Sequence, residues 1–447
     1  MISPDNSLSL LDDFLNYAHK LNIEEIELYC SFSEAIETSF EANSIKSTSF
    51  SQEEGIGIRI VNNQRSAFGS INTLEKSKVF HLIKQVNRQS YAGIKDKFAS
   101  IPNSNNKINS KIQPLEKLDP IETILFAKKL LKVYKSLDKR LRIDSGSANI
   151  SSGFVAVMNS NGIEGVETET KNTWSLGGLA KDGTNTTSVE YVHDSANGLE
   201  LSFSNNKIEK TASLLIKHLQ AKKISLNHSR YFPAIFNPEI FIELFLDPLI
   251  NGIKGNNLLS NQSPFMEDHK KQIFDSKLSI IDDGNLKSAL GTILFDREGI
   301  QPKKLDLISN GVFNKILHHH SSAIEYGDES TGHATGTFDS LPGIDVTNIE
   351  LNLAESHNIE SLLEKETIII NGCYAYPDFT TGDVQGPIKN SFLFTKGDML
   401  PIKEISVSGN IYKALRSISG TKEKEIIKYI NNEYQLPRIL FESFKFI

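Results

Sequence analysis

The chain has 447 residues, with 48 Lys+Arg against 55 Asp+Glu, 11 His and only 2 Cys. At ~150 residues per domain the length predicts about two or three domains, and 39% hydrophobic with 23% charged residues argues against wholesale disorder. A net charge of −7 opposes a phosphate backbone, two distant cysteines exclude a disulfide framework, and no apolar run approaches the ~20 residues of a membrane helix.

Leu11, Phe14, Leu15 and Ala18 recur at helical spacing and predict a first helix. A strand-like run follows at Ile26 to Phe32, then a long alternating stretch from Ile36 to Ser51 without helix signal. Gly55 to Val61 alternates small and branched residues, Asn62-Asn63 marks a turn, and Ser66 to Ile71 reads as the returning strand. Helical patterns cover Leu74 to Val86 and Pro120 to Leu137, separated by a polar Asn/Ser-rich loop around Phe98 to Pro114. From Arg142 the glycines predict short strands, with turns at Asn159 to Gly162 and Lys181 to Gly183. A helix near Asn205 to Leu219 closes this half. The predicted boundary lies near Leu226 to Arg230, giving domains 1–226 and 227–447. In the second, Tyr231 to Phe236 is extended, Pro238 opens a helical segment to about Ile253, and the remainder is strand-rich. The predicted fold class is α+β: helices on a sheet, then a β-rich domain. An N-terminus without a basic region followed by an apolar one predicts a soluble, cytoplasmic protein.

Several signatures are absent from the sequence. It has no Gly-x-Ser-x-Gly elbow, no phosphate-cradling Gly-x-x-x-x-Gly-Lys-Ser/Thr loop and no His-Glu-x-x-His helix. His318, His319 and His320 form a cluster, with His333 nearby in the chain. On a strand His318 and His320 share one face and, with His333, give a candidate metal site; a polar strand or helix end is the simpler reading. Cys373 follows three isoleucines, which suits a small buried residue in a core strand better than a nucleophile.

Four ordered blocks place a glycine beside polar pairs: Asp296 to Ile300, Ser330 to Ala334, Thr381 to Asp383, and Glu404 to Asn410. With Glu54-Gly55-Ile56-Gly57-Ile58-Arg59-Ile60, Ala67-Phe68-Gly69 and Asn159-Ser160-Asn161-Gly162, their order resembles the TldD/PmbA family of two-component metallopeptidases, also named modulators of DNA gyrase. His333 stands where that family usually has asparagine. Peptidase members carry His-Glu-x-x-x-His followed by Gly-x-x-Gly on a helix, with a cysteine near the C-terminus as a further zinc ligand. The matching segment, within 238–255, has Leu246 and Asn251 for the histidines and Asp247 for the glutamate, while Gly252 and Gly255 keep the frame. No cysteine follows Ser417.

The resemblance implies a PmbA/TldE-like subunit without catalytic residues, metal or cofactor of its own. Its implied partner is a TldD-like subunit carrying the zinc, in a heterodimer or larger assembly that processes flexible peptides in the cytoplasm, without direct nucleic-acid or membrane binding. Asp296, Glu298, Gly299, Thr331, Gly332, Gly382 and Asp383 are the residues expected to face peptide or partner. The alternatives are a stand-alone hydrolase using His318, His320 and His333, or a regulatory binding protein.

Overall fold

The computed structural model describes residues 3–103, 108, 110–224, 230–363, 366–429 and 431–447, and of Arg230 only the backbone. The predicted boundary therefore falls largely outside the described residues, as does part of the polar loop after Phe98. Helix α1 (Pro4–Lys20) leads into strand β1 (Glu25–Glu41), which turns at Ala42 and Asn43 into β2 (Ser44–Asn62). Both turn residues have positive φ, 48° and 72°, the backbone of a tight hairpin whose twist matches its strands. Ala-Asn lacks the glycine that usually marks such a turn, which is why the alternating stretch conceals it.

The chain continues through β3 (Arg65–Ile71), α2 (Lys76–Ala92), α3 (Pro120–Leu137), β4 (Leu141–Asn159), β5 (Glu164–Asp182) and α4 (Asn205–His218). In helix α3 Pro120 occupies the first turn, as its sequence predicts, and Asp119 accepts the amide of Ile121 as N-cap. The glycines after Arg142 do not break the chain into short strands; β4 and β5 are 19 residues each. Their glycines mark close approach instead. A Cβ on Gly146 would lie 2.3 Å from the Phe40 ring, and one on Gly178 would strike the Tyr134 hydroxyl.

Among the described residues these strands form an antiparallel seven-stranded sheet, ordered β3-β2-β1-β4-β5, with strands Asn185–Thr186 and Glu190–Asn197 both on β5. Strand alternation gives it two distinct faces. Ile26, Leu28, Cys30 and Phe32 of β1 join Ile56, Ile58 and Ile60 of β2 against Leu11 and Phe14 of α1 and Val79 and Ile83 of α2. Helices α3 and α4 cover the far end through Phe126, Leu130, Ile208 and Leu215. The opposite face holds Tyr29 and Val157, which pack on Phe295 and Phe338 of the C-terminal half.

That half is built on a second, mixed sheet of thirteen strands among the described residues. The long C-terminal strand Asn432–Phe446 lies between Asn348–Leu353, to which it is parallel, and Arg230–Phe236, to which it is antiparallel. Helical residues Pro238–Phe241, Ile242–Leu246 and Asp247–Gly252 run on from one another, the middle five in a π-helical turn. Phe241, Leu244, Phe245, Leu246, Leu249 and Ile250 are all buried in one core with Phe236, Phe441 and Phe444. A helix apolar on most of its circumference belongs inside a protein, and this one sits there. The arrangement is the α+β architecture predicted from the sequence.

Candidate functional site

Two polar constellations interrupt these cores. The first joins the two halves of the chain. Glu27 and Arg59 are cross-strand neighbours on β1 and β2, on the face turned away from the helices. Arg59 Nη2 donates to Glu27 Oε2 at 2.7 Å and to Glu298 Oε1 at 2.8 Å, across the junction. Arg297 Nη1 lies 3.2 Å from Glu27 Oε1, and its guanidinium stacks 3.7 Å from the centre of the Tyr29 ring. Glu298 Oε2 accepts the amide of His320. Asp296 closes the turn beside it, accepting the amides of Glu298, Ile300 and Ala334, all at 2.9 Å. Gly299 completes that turn at φ +79°.

Asp296 is 2% exposed and Glu298 0%. Buried carboxyls persist only when their polar atoms are satisfied: Glu298 is paired with the Arg59 guanidinium, and Asp296 is held by three backbone amides. Burial opposes the charge of Glu298, yet Arg59 and the nearby histidines hold its carboxyl below the usual range. Burial, and then Glu298 itself, raise Asp296. Of the two carboxyls, Glu298 therefore carries the charge. Thr331 Oγ1 accepts the amide of His318 and donates to its carbonyl, and Gly332, at φ +74°, lets the backbone of Gln301 pass where a Cβ would stand. Asp296, Glu298, Gly299, Thr331 and Gly332 thus come together, with their polar atoms engaged inside the protein. A cavity of about 380 Å³ opens beside them, lined by Tyr29, Glu167, Arg297 and His333 among others.

Gly382 and Asp383 lie on a separate turn. Asp383 accepts from the Asn410 side-chain amide, and Gly382, at φ +77°, leaves room for the Tyr412 ring. The Tyr412 hydroxyl reaches the carbonyls of Phe379 and Pro248, so this turn supports the buried helix.

The helix itself carries the second constellation. Glu243, Asp247 and Asn251 recur every fourth residue and form its one polar stripe. They open into a cleft of about 350 Å³, shared with Lys254, Asp345, Tyr429 and Tyr434. Lys254 Nζ is 3.4 Å from Asp345. Enclosure by the cleft, then Asp345 and Glu243, push Asp247 up to about 6 against the pull of Lys254. Farther along, burial and then Glu190 push Glu239 up to about 7. Leu246 points the other way, 1% exposed in the core. Asn251 donates its side-chain amide to the Asp247 carbonyl, one turn back. These residues do not fit zinc: an apolar side chain, an amide bound to its own helix and a single carboxylate offer no imidazole set.

The three candidate histidines have separate partners. His318 Nδ1 contacts Ser322 Oγ, His320 Nε2 contacts Ser100 Oγ, and His333 Nε2 is 3.3 Å from Asp282 Oδ1. Among the described residues, no three His, Cys, Asp or Glu side chains are grouped to hold a metal ion. Cys373 is half-buried on the short strand Gly372–Cys373, and burial raises its thiol, which makes it a weak nucleophile.

Comparison with known proteins resolves what kind of chain carries this geometry. Residues 229–447 match the PmbA/TldA metallopeptidase C-terminal domain, and residues 26–89 match the PmbA/TldA metallopeptidase domain 1. The chain belongs to the PmbA/TldD metallopeptidase family. The crystal structure of TldE from Thermococcus kodakarensis superposes with a TM-score of 0.85 at 21% identity, covering 98% of this chain and 99% of that one. An uncharacterized protein of Methanocaldococcus jannaschii is 25% identical over 395 residues, 88% of this chain and 90% of its own. A metalloprotease TldD homolog of Haemophilus influenzae is 21% identical over 446 residues, 95% and 91% of the two chains.

Family membership gives the early Gly-x-Gly-x-Arg hairpin a physical meaning. Gly55, Gly57 and Arg59 alternate onto the face that meets the C-terminal half. A Cβ on Gly55 would lie 2.2 Å from the Phe338 ring, and one on Gly57 2.2 Å from the Phe338 carbonyl oxygen. The glycines admit Phe338, and two residues on Arg59 ties the same face to Glu298. Sequence reasoning does not find Glu27, Arg297 or Phe338, because their partners across the junction lie hundreds of residues away. It also misses Glu243, Asp345, Tyr429 and Tyr434; only the four-residue spacing of Glu243, Asp247 and Asn251 within an apolar helix signals that cleft.

Proposed function

We propose that this chain is the metal-free companion of a TldD-type zinc peptidase, in a cytoplasmic heterodimer or larger assembly that admits flexible peptides. The observation carrying this reading is the helix 238–252. At the positions where peptidase members place their histidines, it has a leucine packed in the core and an asparagine bonded to its own backbone. Asp247, at the position of the glutamate base, faces a cleft with another carboxylate, two tyrosines and a lysine. Zinc belongs to the partner in this reading, and no step of peptide hydrolysis runs through this chain. Its contribution is to complete the wall of the peptide chamber and to help align extended substrate.

Co-expression with the host's His-Glu-x-x-x-His homologue, followed by size-exclusion chromatography and peptide-cleavage assays, tests the proposal. The two proteins are expected to co-elute, with cleavage dependent on both. Separate elution, with equal cleavage by the homologue alone, overturns it. Stoichiometric zinc in this chain purified alone, lost on His318→Ala/His320→Ala substitution, would instead favour a stand-alone hydrolase.

A further inference from the structure

The cleft on the buried helix holds more acceptors than its own donors serve. Glu243, Asp247 and Asp345 bring three exposed carboxylates to about 350 Å³ of open volume. Lys254 is the one cation among the lining residues, and it lies 3.4 Å from Asp345. Lys389, whose charge also reaches Glu243, gives its hydrogen bonds to the Val189 carbonyl and the Tyr374 hydroxyl. Among the described residues no group donates to the carboxylates of Glu243 or Asp247. Asn251 has its amide nitrogen on the Asp247 carbonyl, so its side-chain oxygen is a further acceptor.

Carboxylates alone would make a solvated patch, but Tyr434 adds a fixed element. It is 6% exposed and lines the cleft, and its hydroxyl has no hydrogen-bond partner among the described residues. Unlike the Tyr134 hydroxyl, which is sealed in the core without a partner, it is not closed off from the cleft. Buried polar groups are normally satisfied, so a hydroxyl held in this way is placed for a ligand. It can accept from an N–H or donate to a carbonyl of the same molecule. Enclosure, and then the neighbouring carboxylates, already raise Asp247, and a bound cation would relieve that repulsion.

Two observations select a peptide as the carrier of the cation. Asp345 also lines the cavity of about 380 Å³ at the junction of the two halves, so cleft and cavity adjoin and suit a chain better than a lone ion. Nor are three ligating side chains grouped for a metal among the described residues. We propose that the cleft binds a cationic group of the peptide substrate, a basic side chain or the amino terminus, through Glu243, Asp247 and the Tyr434 hydroxyl. The rest of the peptide runs past Asp345 toward the junction. The inference rests on the companion reading for the peptide and on the cleft alone for the cation.

Fluorescence anisotropy on the purified full chain at pH 7, with short Gly/Ser/Ala peptides carrying a C-terminal dye, tests this. One acetylated peptide contains an arginine, another a lysine, and a third is neutral with a free amino terminus, so the three distinguish the source of the charge. The acetylated neutral peptide is the reference. At least one cationic peptide is expected to bind about tenfold more tightly than the reference, the scale of one charge-assisted hydrogen bond. Glu243→Gln/Asp247→Asn should abolish that preference and Tyr434→Phe should reduce it, with circular dichroism unchanged. Glu37→Gln/Glu53→Gln, which removes the same charge from the N-terminal sheet, should leave it intact. Equal binding of cationic and neutral peptides, or none of any, overturns the proposal. So does a preference that survives Glu243→Gln/Asp247→Asn or falls equally with Glu37→Gln/Glu53→Gln. Failure to co-elute with the peptidase homologue would count against the companion reading and leave the cation preference standing.

Discussion

Arg59 is the residue on which most of the junction depends, because one guanidinium neutralises carboxylates from both halves. Replacing it with methionine keeps much of the volume and removes the charge, leaving Glu27 with Arg297 alone and Glu298 without a cationic side-chain partner. The expected loss is about 3–5 kcal/mol in denaturant unfolding, the cost of breaking one side of a buried ion pair. Two other residues set opposite pH trends. Burial pushes His318 down to about 4, below its ordinary 6.5, so the unfolded chain binds the proton more tightly. Stability contributed by neutral His318 is present above the unfolded value and is lost as pH falls from about 6.5 to 4, at up to about 1.4 kcal/mol per unit. Asp247 behaves inversely, because its folded value, about 6, lies above its unfolded one. The native state holds that proton better, and stability falls as pH rises from about 4 to 6. Urea unfolding at pH 5, 6 and 7 separates the two effects. His318→Gln should flatten the acid-side loss, and Asp247→Asn should stabilise the protein at pH 7 by at most about 1 kcal/mol, since the cleft is open to water and screens the shift.

At the scale of elements, β2 does two jobs along one strand. Its second half supplies Ile56, Ile58 and Ile60 to the helix-covered core and Gly55, Gly57 and Arg59 to the junction. Gly57→Ala would push a methyl into the Phe338 carbonyl, a backbone group that cannot swing away, and should cost about 1–3 kcal/mol by overpacking. Gly343→Ala is the control, since a Cβ there meets nothing nearer than 3.6 Å and should change little. Thermal unfolding of the two variants checks the difference. The buried helix shows the same economy: its apolar residues anchor the second core while every fourth residue lines the cleft.

The whole molecule is held together by long-range ties. Besides the Arg59 network, His218 of α4 contacts the carbonyl of Ser391, Lys389 donates to the carbonyl of Val189, and Asn390 donates to Glu190. Phe338, wedged over β2 with Tyr29, Val157 and Phe295, supplies the apolar part of the latch. Phe338→Ala should cost about 3–5 kcal/mol. In calorimetry the single unfolding transition expected of the intact chain should split or broaden, as the two sheets lose their shared core. One sharp transition at an unchanged midpoint would show that the halves are coupled elsewhere.

Local chemistry was enough to determine much of this protein from its sequence. Pro120 opens α3, helical spacing identifies α1, and alternation identifies the β2–β3 hairpin, because a first-turn proline and side-chain periods act within a few residues. The ordered glycine-polar blocks likewise pointed to the family, and Leu246 and Asn251 were visibly not histidines. The tertiary structure decided the rest. It turned the glycines of β4 and β5 from breaks into places where Phe40 and Tyr134 press on a continuous strand, and it drew Asp296 and Glu298 inside to bond backbone amides and Arg59. It also assembled the cleft from a helix, a loop and the C-terminal strand pair. Composition and charge gave no hint of these outcomes and spacing hinted only at the cleft, because a buried charge or a missing Cβ takes its meaning from a partner that the fold brings to within about 3 Å.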